Sequence, residues 1–163
     1  MRLATLLLLA ASVASASNVA PRRGNTVATR RSAASLLTAT MIRETSGKAV
    51  GFTTMPWSPA TADYDDIHFR AQIMPESFDV VLHVWSLAGQ AADDRYSSLY
   101  ASLQNVTASW RMGTRAFTVT ESDAFGVAFE DDRGIVALLA CGRDECRTLD
   151  DALALAGRVR DQI

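Results

Sequence analysis

His68 and His83 are the only two histidines in this 163-residue chain. They sit in neighbouring apolar-rich stretches, "IHFRAQI" and "FDVVLHVWSL", and a carboxylate pair, Asp65 and Asp66, directly precedes the first. Two imidazole nitrogens and a carboxylate oxygen form a donor set suited to Zn²⁺ or Cu²⁺. Whether they meet depends on how the stretches pair. Ile67, Phe69, Ala71 and Ile73 alternate with His68, Arg70, Gln72 and Met74, the period of a half-buried strand. Val80, Leu82 and Val84 on one side, with Val81 and Trp85 on the other, make the second stretch apolar on both faces, as in a central strand. With "MPES" as the turn, Ile73 pairs with Phe78, Ala71 with Val80, Phe69 with Leu82 and Ile67 with Val84, every pair apolar. A one-residue slip would set polar against apolar throughout. This register places His68 opposite His83 and Arg70 opposite Val81, at cross-strand Cβ separations of about 4.5–5.5 Å. The site expected is therefore His68 and His83 with Asp66, or Asp65, as third ligand. The plainer alternative is a His–His pair that holds no ion.

Cys141 and Cys146 enclose "GRDE", which is neither a redox nor a zinc spacing. In an oxidising compartment they can form a disulfide across a very short loop. Otherwise Cys141 is a buried small hydrophobe and Cys146 a free thiol. Trp85, Tyr96 and Tyr100 either line a ligand pocket between sheet and helix or pack as core. The sequence shows no P-loop, dinucleotide fingerprint or nucleophile elbow, and no catalytic residue is assigned. The reading is a non-enzymatic binding or assembly protein with no cofactor beyond that divalent metal; the alternative is a small enzyme or ligand-binding domain that uses the aromatic pocket. Asn105-Val106-Thr107 is a glycosylation sequon, but it falls where a helix is expected, which favours coincidence.

These residues need a scaffold. "ADDRYSSLYASLQNVTASWRMG" has helical spacing, with Tyr96, Leu99, Tyr100, Leu103 and Trp110 near one stripe. Asp93 or Asp94 can cap its start, and Arg111 and Gly113 suit its end. Strands follow over Thr114–Glu121, Phe125–Glu130 and Ile135–Cys141, joined by "ESDA" and "DDRG". A closing helix starts at Leu149, with Thr148 and Asp151 placed as a capping box. The order β-β-α-β-β-β-α, dominated by hairpins, gives an α+β fold: an antiparallel sheet of about five strands with helices packed on it.

Ahead of this body lies a different composition. Up to Arg43 the chain has six arginines and no acidic residue, whereas from Glu44 onward its charge is −8. Arg2, the apolar run Leu3–Ala10 and Ala14-Ser15-Ala16 have the form of a secretory signal peptide over 1–16. Residues 17–46, hydroxyl-rich and free of acids, read as a largely disordered transit segment ahead of a single domain over 47–163. The two together resemble the bipartite plastid presequence of algae with secondary plastids. Arg30-Arg31 before "SAASLLTATM" is similar to a twin-arginine thylakoid signal. The expected destination is the plastid, thylakoid lumen or stroma, with secretion as the alternative. An acidic body argues against nucleic acid and anionic membrane and favours a basic protein partner or cations. No transmembrane segment is expected in the mature protein.

Two stretches carry a family resemblance. "HFRAQIMPESFDVV", with Pro75-Glu76-Ser77-Phe78, resembles an early strand of the PsbP-like proteins of the thylakoid lumen. "DDRGIVALLACGRDECRTLDDALALAGRVRDQI" is similar to that family's final strand, loop and closing helix. The resemblance implies an α/β/α sandwich and a non-enzymatic role beside a photosystem subunit. The strand order also fits roadblock- or longin-like protein-binding modules, by fold analogy alone.

Overall fold

The computed structural model describes residues 32–72 and 79–163. The expected signal peptide, the start of the transit segment and the Ile73–Phe78 pair lie outside them. Within the described residues seven strands form one antiparallel sheet: β1 (Phe52–Met55), β2 (Tyr64–Ala71), β3 (Val80–Ser86), β4 (Val106–Ala108), β5 (Ala116–Thr120), β6 (Ala124–Glu130) and β7 (Ile135–Gly142). Their spatial order is β1-β2-β3-β7-β6-β5-β4, so the apolar strands β3 and β7 lie inside the sheet, where both faces are covered. Among the described residues, four α-helices pack on it: α1 (Ala33–Leu36), α2 (Ala39–Ser46), α3 (Gln90–Ser102) and α4 (Leu149–Arg160). The mixed α+β class is as the sequence indicates, with seven strands rather than about five. No helix among the described residues is long and apolar enough to cross a membrane.

Alternation along the strands divides the buried residues into two cores. Phe69, Val80, Leu82, Val127, Phe129 and Leu139 face α1, α2 and α4. Phe117, Val119 and Ala128 face the other way, beneath Tyr96, Leu99 and Leu103. Helices thus lie on both faces of the sheet. α4 begins on the capping box the sequence suggests: the Asp151 amide donates to Thr148 Oγ1 at 3.2 Å, and the Thr148 amide donates to the Asp151 carboxylate at 2.9 Å.

Three expectations need correction. First, residues 33–46 are not a disordered tail. α2 starts on Thr38, whose hydroxyl accepts the Met41 amide at 3.3 Å, and closes on Gly47 at φ 68°. Leu36, Leu37, Met41 and Ile42 lie within the larger core. Composition suggested an address, but the apolar spacing within it builds two helices.

Second, the long helix stops early. Gly89, rather than Asp93 or Asp94, occupies the N-cap position of α3, and the helix ends at Ser102. Asn105 then turns the chain at φ 52°, Val106–Ala108 pair with β5, and Trp110–Met112 form a 3₁₀ turn that ends at Gly113. Trp110 is 83% exposed and belongs to no helical stripe. β-branched Val106 and Thr107 gain more from a sheet edge than from two further helical turns.

Third, the β2–β3 register is two residues away from that inferred. Phe69 pairs with Val80, Ile67 with Leu82 and Asp65 with Val84. Asp79 holds this alignment. Its amide donates to the Phe69 carbonyl at 3.0 Å, its carboxylate accepts the Ala71 amide, and its carbonyl accepts the Gly142 amide at 2.6 Å. A slip of two preserves the faces but changes the partners. His83 is opposite Asp66, and His68 is opposite Val81.

Candidate metal centre

Tyr64, Asp66 and His68 project from one face of β2, and His83 and Trp85 from the same face of β3. Tyr64 stands opposite Trp85, and Asp66 opposite His83. The two histidines are diagonal neighbours, with ring centroids 5.6 Å apart and planes at 89°. One ligand atom from each of Asp66, His68 and His83 can be chosen so that all three lie within 4.8 Å of one another. Asp66 and His68 are each only 4% exposed.

Asp65 is not part of this cluster. Its carboxylate accepts the Ala33 amide at 2.9 Å and the Asp66 amide at 3.1 Å, so it serves the start of α1. Strand alternation sends two adjacent aspartates to different tasks.

The Asp66 carboxylate organises the surrounding loop. It accepts the Trp57 amide at 2.7 Å, the Ser58 amide at 3.2 Å and the Tyr64 hydroxyl at 2.7 Å. This folds the Pro- and Asp-containing segment before β2 back over the sheet. The Trp57 ring then stacks on His68, with centroids 5.1 Å apart and planes 9° apart. Burial alone would raise the Asp66 pKa. The hydrogen bonds from Tyr64, Trp57 and Ser58, with the neighbouring His68, outweigh it and hold the carboxyl below its usual value. Asp66 is therefore an anion here.

That charge fixes a proton. Tyr64 has one hydroxyl hydrogen, and an ionised Asp66 can only accept it. The Tyr64 hydroxyl also lies 2.8 Å from His83 Nδ1, so His83 donates there through Nδ1–H and carries its lone pair on Nε2. Burial lowers the His83 pKa, and His68 nearby lowers it further against the pull of Asp66. Burial also lowers that of His68, again opposed by Asp66. Both rings are kept neutral, the form that binds metal. Burial and the bond to Asp66 push the Tyr64 hydroxyl far above its usual range.

Beside the cluster an open groove of ≈ 450 Å³ is lined by Ser58, Tyr64, His83, Trp85 and Arg95, among others. The Arg95 guanidinium sits 5.0 Å over the Trp85 ring. Tyr96 and Tyr100 do not join Trp85 in a pocket. Both contact Phe117 with ring centroids 5.4 Å apart, Tyr96 against the smaller core and Tyr100 at its exposed rim. Cys141 and Cys146 form a disulfide, with Cα atoms 5.8 Å apart and both residues buried in the larger core.

Sequence reasoning missed Tyr64 and Trp57. Tyr64 could have been found by extending the period of two back from His68 through Asp66. Trp57 reaches the site through a loop whose course depends on Asp66, and spacing carries no signal for it. Comparisons with protein-family models, curated proteins and solved structures find no match for the chain.

Proposed function

We propose that the protein is a binding protein whose ligand is a divalent transition metal, Zn²⁺ or Cu²⁺, held by Asp66, His68 and His83. The observation that carries this is the convergence of two imidazoles and one carboxylate on one sheet face, with a ligand atom of each within 4.8 Å of the others. A tetrahedral ion with bonds of about 2.0–2.1 Å sets its donors about 3.4 Å apart. Binding therefore requires the three side chains to draw inward from spacings of up to 4.8 Å. Tyr64, bonded to both Asp66 and His83, orients two of the three donors, as groups behind metal ligands commonly do.

The test is calorimetric titration of the full chain with Zn²⁺, beside His83→Ala. One equivalent binding to wild type, with the heat lost in the variant, supports the site. Equal heats in the two would reject it. His83 is only half-buried, and a thermal melt checks that the variant folds.

A second reading is a PsbP-like plastid assembly protein with a photosystem partner. What supports it is the layering, helices on both faces of an antiparallel sheet, together with the acid-free, arginine-rich head. A fluorescent fusion seen outside the plastid would reject it.

A further inference from the structure

The sequon at Asn105–Thr107 lies outside the helix that had made it look accidental. It forms the turn and first residues of β4, the terminal strand of the sheet. Asn105 and Thr107 are both exposed, whereas Val106 between them packs against the smaller core. The middle residue anchors the segment while the acceptor amide and the hydroxyl that sequon recognition requires face solvent. Asn105 holds φ 52°, a conformation asparagine tolerates better than most residues. Its Nδ2 makes one long contact, 3.5 Å to Glu121 Oε1, which a substituent can displace. The residue after Asn105 is not proline, so the motif is intact.

A second observation concerns the compartment. The buried Cys141–Cys146 disulfide belongs in an oxidising environment such as the secretory lumen. The signal-peptide form of residues 1–16 points to the same route.

We propose that Asn105 is an N-glycosylation site. The co-substrate is an oligosaccharide on a lipid pyrophosphate, supplied by the lumenal transferase. The Asn105 amide nitrogen attacks the sugar's C1 and gives up one proton to a base of the transferase. The C1–N bond forms as the C1–O bond breaks, and the lipid pyrophosphate leaves with that electron pair. The glycan lies beside β4, whose outer edge has no strand partner among the described residues, and shields it from pairing with another chain. This proposal is independent of the metal centre, which lies on β2 and β3.

The test is expression of the full chain, with its own N-terminus, in a eukaryotic secretory host. The product is treated with peptide-N-glycosidase in H₂¹⁸O. The expected result is one discrete mobility shift and an ¹⁸O-labelled aspartate at position 105. Both are lost in Asn105→Gln and Thr107→Ala and kept in Thr107→Ser. A wild-type product insensitive to the enzyme overturns the proposal, as does an unchanged shift in Asn105→Gln. Exposure of both side chains lets the variants fold, and melting curves verify that.

Discussion

Removing residues 32–46 should unfold the domain, because those residues supply core rather than address. Leu36 and Leu37 are fully buried, and Ile42 and Met41 are 1% and 4% exposed. Burying a side chain of this size contributes about 1.5–3 kcal/mol, so the four together contribute about 6–12 kcal/mol. Allowing for burial already present in the denatured chain leaves about 4–10 kcal/mol. A whole domain is stable by about 5–15 kcal/mol, so the loss is comparable with the total. The surface contacts of α2, such as Arg158 to Glu44 at 2.6 Å, add little. The assay is denaturant unfolding followed by tryptophan fluorescence. A chain starting at Ser32 should unfold cooperatively, whereas one starting at Gly47 should show no cooperative transition. Ile42→Ala should cost about 2–5 kcal/mol, and the exposed Ala34→Ser at most about 0.5. Equal midpoints for the two truncations would refute the reasoning. The same logic requires any N-terminal cleavage that leaves the domain folded to spare Ala33.

Gly134 sits at φ 88°, and a Cβ there would lie 2.3 Å from the Leu87 carbonyl oxygen. Gly134→Ala should therefore cost more than about 1 kcal/mol, read as a drop in denaturation midpoint. Opening the disulfide with Cys141→Ala and Cys146→Ala together should cost about 2 kcal/mol, the loop-closure value for so short a ring, and should remove the effect of reductant on the melt. Glu145 is buried, and burial pushes its carboxyl above the usual value despite Lys48 nearby. The native state then binds more protons than the unfolded one, so this group's contribution falls as pH rises from about 4.3 through the raised value. Glu145→Gln should flatten that part of the stability–pH curve and stabilise the protein at neutral pH; an unchanged slope would contradict the assignment.

Sequence patterns locate the strands whose two faces differ and the helix whose cap is written locally. The period of two in β2, the apolar run of β7 and Thr148 with Asp151 at α4 are all legible for that reason. What stays hidden is set by tertiary pairing. Val106 and Thr107 look helical beside Leu99 and Leu103 until β5 offers an edge. Phe52–Met55 carry no strand period of their own and become a strand only because β2 lies beside them. The two-residue shift in the β2–β3 register depends on Asp79, whose three main-chain bonds no periodicity reveals. Because the shift is even, Asp66, His68 and His83 still share a face, so the composition of the candidate centre could be read while its cross-strand partners could not. Asp65 and Asp66 are equivalent as letters and separate only once the strand assigns them to opposite faces.

The most direct test of the metal centre is a crystal of the protein soaked in Zn²⁺, with diffraction recorded on either side of the zinc absorption edge. The account predicts one anomalous peak on the β2–β3 face, about 2.0–2.2 Å from a nitrogen of His68, a nitrogen of His83 and a carboxylate oxygen of Asp66. An anomalous map with no peak among these three side chains, or with zinc only elsewhere on the surface, would contradict it.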